Sequence, residues 1–174
     1  MNTKHHIKYP PSMILLHGVI AVCMIAALII GWILDENRDL MGLHKSLGIT
    51  VLFLTAFRIV NRFRVAAHVP ESVNPVGSLQ RILEKSVHGL LYITMITTPI
   101  FGWLLSSAAG RSVSFFGLFD LPMLMAENPA MRSTIKNLHE LSANVFFGLL
   151  VLHIVGGIVH MVKEKRNIFK RMLP

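Results

Sequence analysis

The fold of this chain follows from residues 137–162, which read NLHELSANVFFGLLVLHIVGGIVHMV. This run has the length and apolar composition of a membrane span, and it contains histidines. The run contains one acidic residue, no Lys or Arg, and three histidines, His139, His153 and His160. A helix needs about 20 mostly apolar residues to cross the roughly 30 Å of hydrocarbon in a bilayer. We therefore predict that residues 137–162 form a membrane-spanning helix with histidines inside it.

Three further apolar spans cover residues 13–34, 42–60 and 86–105. Hydrophobic residues make up 53% of the chain and charged residues only 15%, whereas a soluble domain carries about a quarter charged residues. This composition excludes an ordinary soluble enzyme. We predict an all-α, integral membrane four-helix bundle, in which residues 1–174 form a single membrane domain.

The net charge of +8 does not indicate nucleic-acid binding, because the basic residues lie between the apolar spans. Most of the 17 Lys and Arg residues fall in the N-terminal arm, in the connection between the second and third spans, and in the C-terminal tail. Loops rich in Lys and Arg stay in the cytoplasm. The charge pattern therefore predicts cytoplasmic N- and C-termini and a multi-pass protein in a bacterial inner membrane, surrounded by lipid.

The longest connection, residues 106–136, falls on the outer side of the membrane in this orientation. It contains Gly110 and Pro122, and its segment Phe115–Phe116–Gly117–Leu118–Phe119 is strongly apolar. We predict that this loop includes a short amphipathic helix that lies along the membrane interface.

Histidines inside the spans form the clearest functional pattern. His139 and His153 are separated by 14 residues, about 40° short of four helical turns, so they share one face about 21 Å apart along the axis. The first span runs outward, so His17 near its start lies at the depth of His153. The second span runs inward, so His44 near its start lies at the depth of His139. A single histidine in a span is as often bonded to a carbonyl or a lipid headgroup, but two pairs at two depths favour two bis-histidine haems.

The only cysteine, Cys23, excludes covalent attachment through a CxxCH motif, so any haem is held by ligation and packing. Glycines beside the histidines leave room for a macrocycle between helices, although glycine is common in membrane helices for packing alone.

In the order and spacing of its histidines and the short motifs around them, the chain resembles the cytochrome b561 family, in its small four-helix bacterial branch. The residues that carry the resemblance are His17, His44–Lys45–Ser46–Leu47–Gly48, Arg58, Arg62, Phe116–Gly117–Leu118, Leu121–Pro122, Leu138–His139–Glu140, Leu152–His153 and His160. The resemblance implies two non-covalent haems b, one ligated by His17 with His153 and the other by His44 with His139. It assigns no catalytic residue beyond these cofactor sites.

The remaining basic residues of the inner side allow two interpretations. His88, His160 and Arg81 either cap and anchor helices at the interface or contact ubiquinone, and the resemblance favours a quinone site. Arg58 and Arg62, one turn apart, pair either with haem propionates or with phospholipid phosphates.

Three functions remain open from the sequence. Relatives of the bacterial branch include superoxide oxidases. This resemblance implies that superoxide is oxidised at the outer haem and that ubiquinone is reduced. Lys45, Arg132 and Lys136 would attract the superoxide anion. Alternatively, the chain is an electron-transfer subunit that serves a periplasmic or membrane-attached redox partner, docked at acidic residues of the outer turn. A metal transporter would contain no haem. The acidic residues of the outer turn are Asp35, Glu36 and Asp39.

Overall fold

The computed structural model describes residues 8–72 and 74–163. Within these ranges, four helices are long and apolar enough to cross a membrane, which confirms the predicted fold class. The helices are α1 (Pro11–Ile33), α2 (Met41–Arg64), α3 (Leu79–Ala108) and α4 (Pro129–Lys163), and the strands are β1 (Val113–Phe115) and β2 (Phe119–Leu121). Short 3-10 turns, Arg38–Leu40 and Ala66–His68, flank α2.

Two helices begin earlier than hydropathy predicts, because their first turns are polar and capped. The side chain of Ser78 accepts a hydrogen bond from the backbone N–H of Arg81, which caps the start of α3. Asn128 accepts from the N–H of Met131 through its Oδ1 atom, and Pro129 occupies the first position of α4.

The helices follow one another as an up-and-down bundle, with α1 packed along α2, α2 against α3, and α3 along α4. The buried centre contains Ile20 and Met24 of α1, Val51 of α2, Leu91 of α3 and Phe146 of α4. Many of the large apolar side chains on the outer surface of the bundle are exposed, as expected where lipid covers the protein.

The end of the bundle that holds the α1–α2 turn and the α3–α4 connection is called the outer end here, and the opposite end is called the inner end. The cytoplasmic placement of the inner end stays a prediction from charge. Much of that charge falls in residues 1–7 and 164–174, which lie outside the described residues.

The predicted interfacial helix in residues 106–136 is wrong, because the apolar segment forms a β-hairpin. Strands β1 and β2 pair antiparallel, with Val113 opposite Leu121 and Phe115 opposite Phe119. Between the strands, Phe116 and Gly117 both have positive φ, 50° and 73°, as a tight hairpin turn requires. Gly117 adopts this geometry without steric cost, and it interrupts the helical alternative.

Ser46 of α2 holds the hairpin against the bundle. Its side chain is 1% exposed, and its Oγ lies 3.2 Å from the carbonyl of Ser114 and accepts from the N–H of Phe116 at 2.9 Å. Trp103 adds a second tie, since its indole N–H donates to the carbonyl of Pro122 at 2.9 Å. The hairpin is therefore fixed by contacts with α2 and α3.

Replacing Ser46 with alanine is expected to loosen the hairpin. The change removes the acceptor of the half-buried N–H of Phe116, which costs about 0.5–1.5 kcal/mol. Trypsin cleavage after exposed Arg111 in detergent should therefore accelerate. The control is Ser142→Ala, because the Ser142 hydroxyl donates to the backbone carbonyl of His139 in its own helix and, within the described ranges, to no other group. Equal cleavage of the two variants would contradict the role of Ser46.

Candidate functional site

Two histidines face each other near the outer end. His44 of α2 and His139 of α4 have ring centres 6.1 Å apart, with the ring planes at 88°. The Nδ1 of His44 lies 2.9 Å from the carbonyl of Ala27, and the Nδ1 of His139 lies 3.0 Å from the carbonyl of Thr98. Because a carbonyl only accepts, each Nδ1 carries the proton and each Nε2 keeps a lone pair for a metal.

A second pair lies near the inner end. His17 of α1 and His153 of α4 have ring centres 6.3 Å apart, with the ring planes at 50°. A third histidine, His88 of α3, lies edge-on to His153 at 5.0 Å, and its own Nδ1 donates to the carbonyl of Glu84 at 2.7 Å. The structure therefore brings together the residues that the depth argument paired, and it adds His88 to the inner pair.

The spacing of both pairs fits one iron ion between two imidazoles. A metal–imidazole bond is about 2.0 Å long and the ring centre lies about 1.1 Å behind the bonded nitrogen, so two axial imidazoles have ring centres about 6.2 Å apart. Both observed separations agree with this value. A cavity adjoins the outer pair, and its walls include Leu34, Gly48, Ile49, Pro99, Gly102, Trp103 and Val113. The donors and the adjoining space therefore fit haem with histidine on both sides.

Arg58 lies beside the inner pair, close enough to interact electrostatically with both His17 and His153. Its Nε donates to the hydroxyl of Tyr92 at 3.1 Å, and the guanidinium lies 5.9 Å from the centre of that ring. Arg62 is exposed at the end of α2. The sequence interpretation gave Tyr92 no role, although Tyr92 is one turn after His88 and thus on the same face of α3.

A polar cluster closes the inner end around Asn74, which is 4% exposed. Its Nδ2 donates to Glu84 Oε2 at 2.9 Å and lies 3.5 Å from Nε2 of His160, and its carbonyl accepts from Arg81 at 3.2 Å. Ser72 also donates to Glu84 Oε2. Two residues predicted at the quinone site, His160 and Arg81, therefore contact one asparagine in the connection between α2 and α3.

A cationic cleft opens at the outer end. Its walls contain Met41, Lys45, Leu105, Ser106, Ala109, Arg111, Arg132 and Lys136. Lys136 is paired with Glu140 at 3.1 Å. Met41 and Lys45 also line the cavity at the outer histidine pair, so the cleft lies next to that cavity. Arg111 also lines this cleft, in addition to the three cations that the sequence analysis named there.

The fold and the paired histidines define a multi-pass membrane protein with the ligand arrangement of a b-type cytochrome. The family model described as prokaryotic cytochrome b561 matches residues 8–174, and the chain belongs to that family. This confirms the resemblance found from the sequence. The chain is thus a multi-pass protein of the bacterial inner membrane, from a family of haem b proteins that transfer electrons in membranes.

Three curated proteins are similar to this chain. Cytochrome b561 homolog 1 of Escherichia coli (strain K12) is 28% identical over 174 residues, covering 96% of this chain and 97% of the relative. Cytochrome b561 homolog 2 of the same organism is 30% identical over 131 residues, covering 75% of this chain and 69% of the relative. The probable superoxide oxidase CybB of Yersinia pestis is 28% identical over 178 residues, covering 97% of each.

Proposed function

We propose that this chain oxidises superoxide at its outer end and passes the electrons through two haems b to ubiquinone at its inner end. The observation that carries the proposal is the cationic cleft, because it shares Lys45 with the cavity at the outer histidine pair. A positive cleft raises the local concentration of a small anion and its rate of encounter.

The four paired histidines hold the cofactors in this proposal. His44 and His139 would hold the outer haem through Nε2, and His17 and His153 would hold the inner haem. Two haems b supply one-electron carriers at both depths of the membrane. With two histidines holding each haem, an electron from superoxide would pass to the outer haem by outer-sphere transfer. Arg58, fixed by Tyr92, is available to pair with a propionate of the inner haem.

The reaction balances with two superoxide anions and one quinone. Each superoxide gives up one electron and leaves as dioxygen, and two electrons with two protons convert the quinone to a quinol. We assign the quinone to the inner end, where His88 lies against His153 and where Asn74 joins His160 to Arg81. In this position the Nε2 of His88 accepts a hydrogen bond from a quinol hydroxyl, because its Nδ1 already donates to the carbonyl of Glu84.

The name of the Yersinia pestis relative, a probable superoxide oxidase, supports superoxide as the donor. A second candidate function is that of an electron-transfer subunit with a protein partner. The α1–α2 turn favours this candidate, because Asp35, Glu36 and Asp39 are exposed at the outer end and would attract a basic partner.

Turnover by the purified chain separates the two functions. The haem-loaded protein in detergent is mixed with a superoxide source and ubiquinone-1, and quinol is followed by absorbance. We expect quinol formation that superoxide dismutase abolishes. No quinol, in a protein whose haem is reduced only after a periplasmic partner is added, would contradict superoxide oxidation and support the electron-transfer subunit.

A further inference from the structure

The two outer histidines are held in the same way by two different helices. His44 donates to the carbonyl of Ala27 in α1, and His139 donates to the carbonyl of Thr98 in α3. In each helix the residue four positions later is glycine, namely Gly31 and Gly102. Helical Cβ atoms tilt toward the N-terminus, so a side chain at position i+4 covers the carbonyl of residue i. Glycine leaves that carbonyl open to a second donor.

The distances show that each imidazole ring occupies space that a Cβ atom on the glycine would need. A Cβ on Gly31 would lie 3.1 Å from Cε1 and 3.6 Å from Nδ1 of His44. A Cβ on Gly102 would lie 3.1 Å from Cε1 and 3.4 Å from Nδ1 of His139. Separations near 3.1 Å are tighter than ordinary carbon contacts, which are about 3.5–4.0 Å. Any larger residue must therefore push the imidazole away from its carbonyl.

The inner histidines lack this support. Among the residues that the structure describes, no hydrogen bond joins a ring nitrogen of His17 or His153 to the protein. A hydrogen bond from Nδ1–H makes an imidazole a more basic ligand, which stabilises the oxidised iron. The outer histidines are therefore hydrogen-bonded through Nδ1, whereas the inner histidines are not within the described residues.

Charged side chains lie near both histidine pairs. At the inner pair, the permanent positive charge of Arg58 acts on both His17 and His153. At the outer pair, Lys45 acts on His44 while the negative Glu140 acts on His139, so the two charges oppose each other. The outer pair also adjoins the cationic cleft, so the difference between the two ends comes from the hydrogen bonds.

From these contacts we infer that Gly31 and Gly102 are positioning residues, which open two helix carbonyls to the outer ligands and make the outer haem the lower-potential one. The inference rests on the haem ligation of the proposed function. Electrons then flow spontaneously from the outer end to the inner end, and the direction is built into the backbone of α1 and α3.

The test is a redox titration of the purified holoprotein, followed by its absorption spectrum, with Gly31→Ala, Gly102→Ala and the control Gly89→Ala. All three substitutions bring the same gain in helix propensity, and a Cβ on Gly89 meets nothing within 4 Å. We expect the lower of two midpoint potentials to rise, or its component to be lost, in the Gly31 and Gly102 variants only. His44→Ala should leave only the higher-potential component.

Three results would overturn the inference. In the first, the midpoint potentials and haem content of the Gly31 and Gly102 variants equal those of the Gly89 control. In the second, these two variants change only the higher midpoint potential. In the third, His44→Ala loses the higher-potential component. None of them involves superoxide or quinone turnover, so the proposed function would survive them. A wild-type protein without haem would overturn both.

Discussion

Replacing His44 or His139 with alanine is expected to reduce the haem content of the purified protein from two haems b per chain to one. In the proposed ligation each histidine supplies one of the two bonds that hold a haem, and an alanine would leave that haem with a single protein ligand. The same loss is expected for His17 or His153, with the other haem retained. The measurement is haem per protein, together with the oxidised and reduced absorption spectra.

The matched control is His68→Ala, because His68 is exposed in the 3-10 turn after α2 and far in sequence from both pairs. It should retain two low-spin haems. Single-haem variants from both pairs, each missing a different spectral component, would support the pairing. A wild-type chain that contains no haem when haem is abundant would return the histidines to metal transport or to a structural role.

Reversing charge in the cationic cleft should have the second large effect. Arg111→Glu and Arg132→Glu place two carboxylates on the route of an anion, and we expect the double variant to be reduced by superoxide at least about tenfold more slowly at low ionic strength. The difference should shrink near 0.15 M salt, where charges are screened over about 8 Å. The measurement is the rate of haem reduction after a pulse of superoxide.

The control for the cleft is Arg38→Glu, which changes an exposed arginine at the same end of the protein but outside the cleft. It should reduce the rate far less. Reduction by an uncharged reductant should be equal in all variants, because the cleft acts on charge. A double variant that reacts with superoxide as fast as Arg38→Glu would contradict steering by the cleft.

The sequence by itself determined the four spans and the depth of each histidine. Both follow from local properties: apolar length decides which segments enter the membrane, and a fixed rise per residue sets the positions of His139 and His153 within one helix. The alternation of chain direction then placed His17 and His44 at matching depths, and the ring separations of the structure agree with that placement.

The arrangement at the two ends of the bundle depends on contacts between residues that are far apart in sequence, and these contacts are visible in the tertiary structure alone. The segment around Phe116 became a hairpin because Ser46, 70 residues earlier, binds its backbone. Asn74 meets His160 across 86 residues, and His44 reaches the carbonyl of Ala27 in another helix. Such contacts depend on the angles and offsets at which helices pack, and hydropathy and periodicity, which describe one segment at a time, contain no information about them.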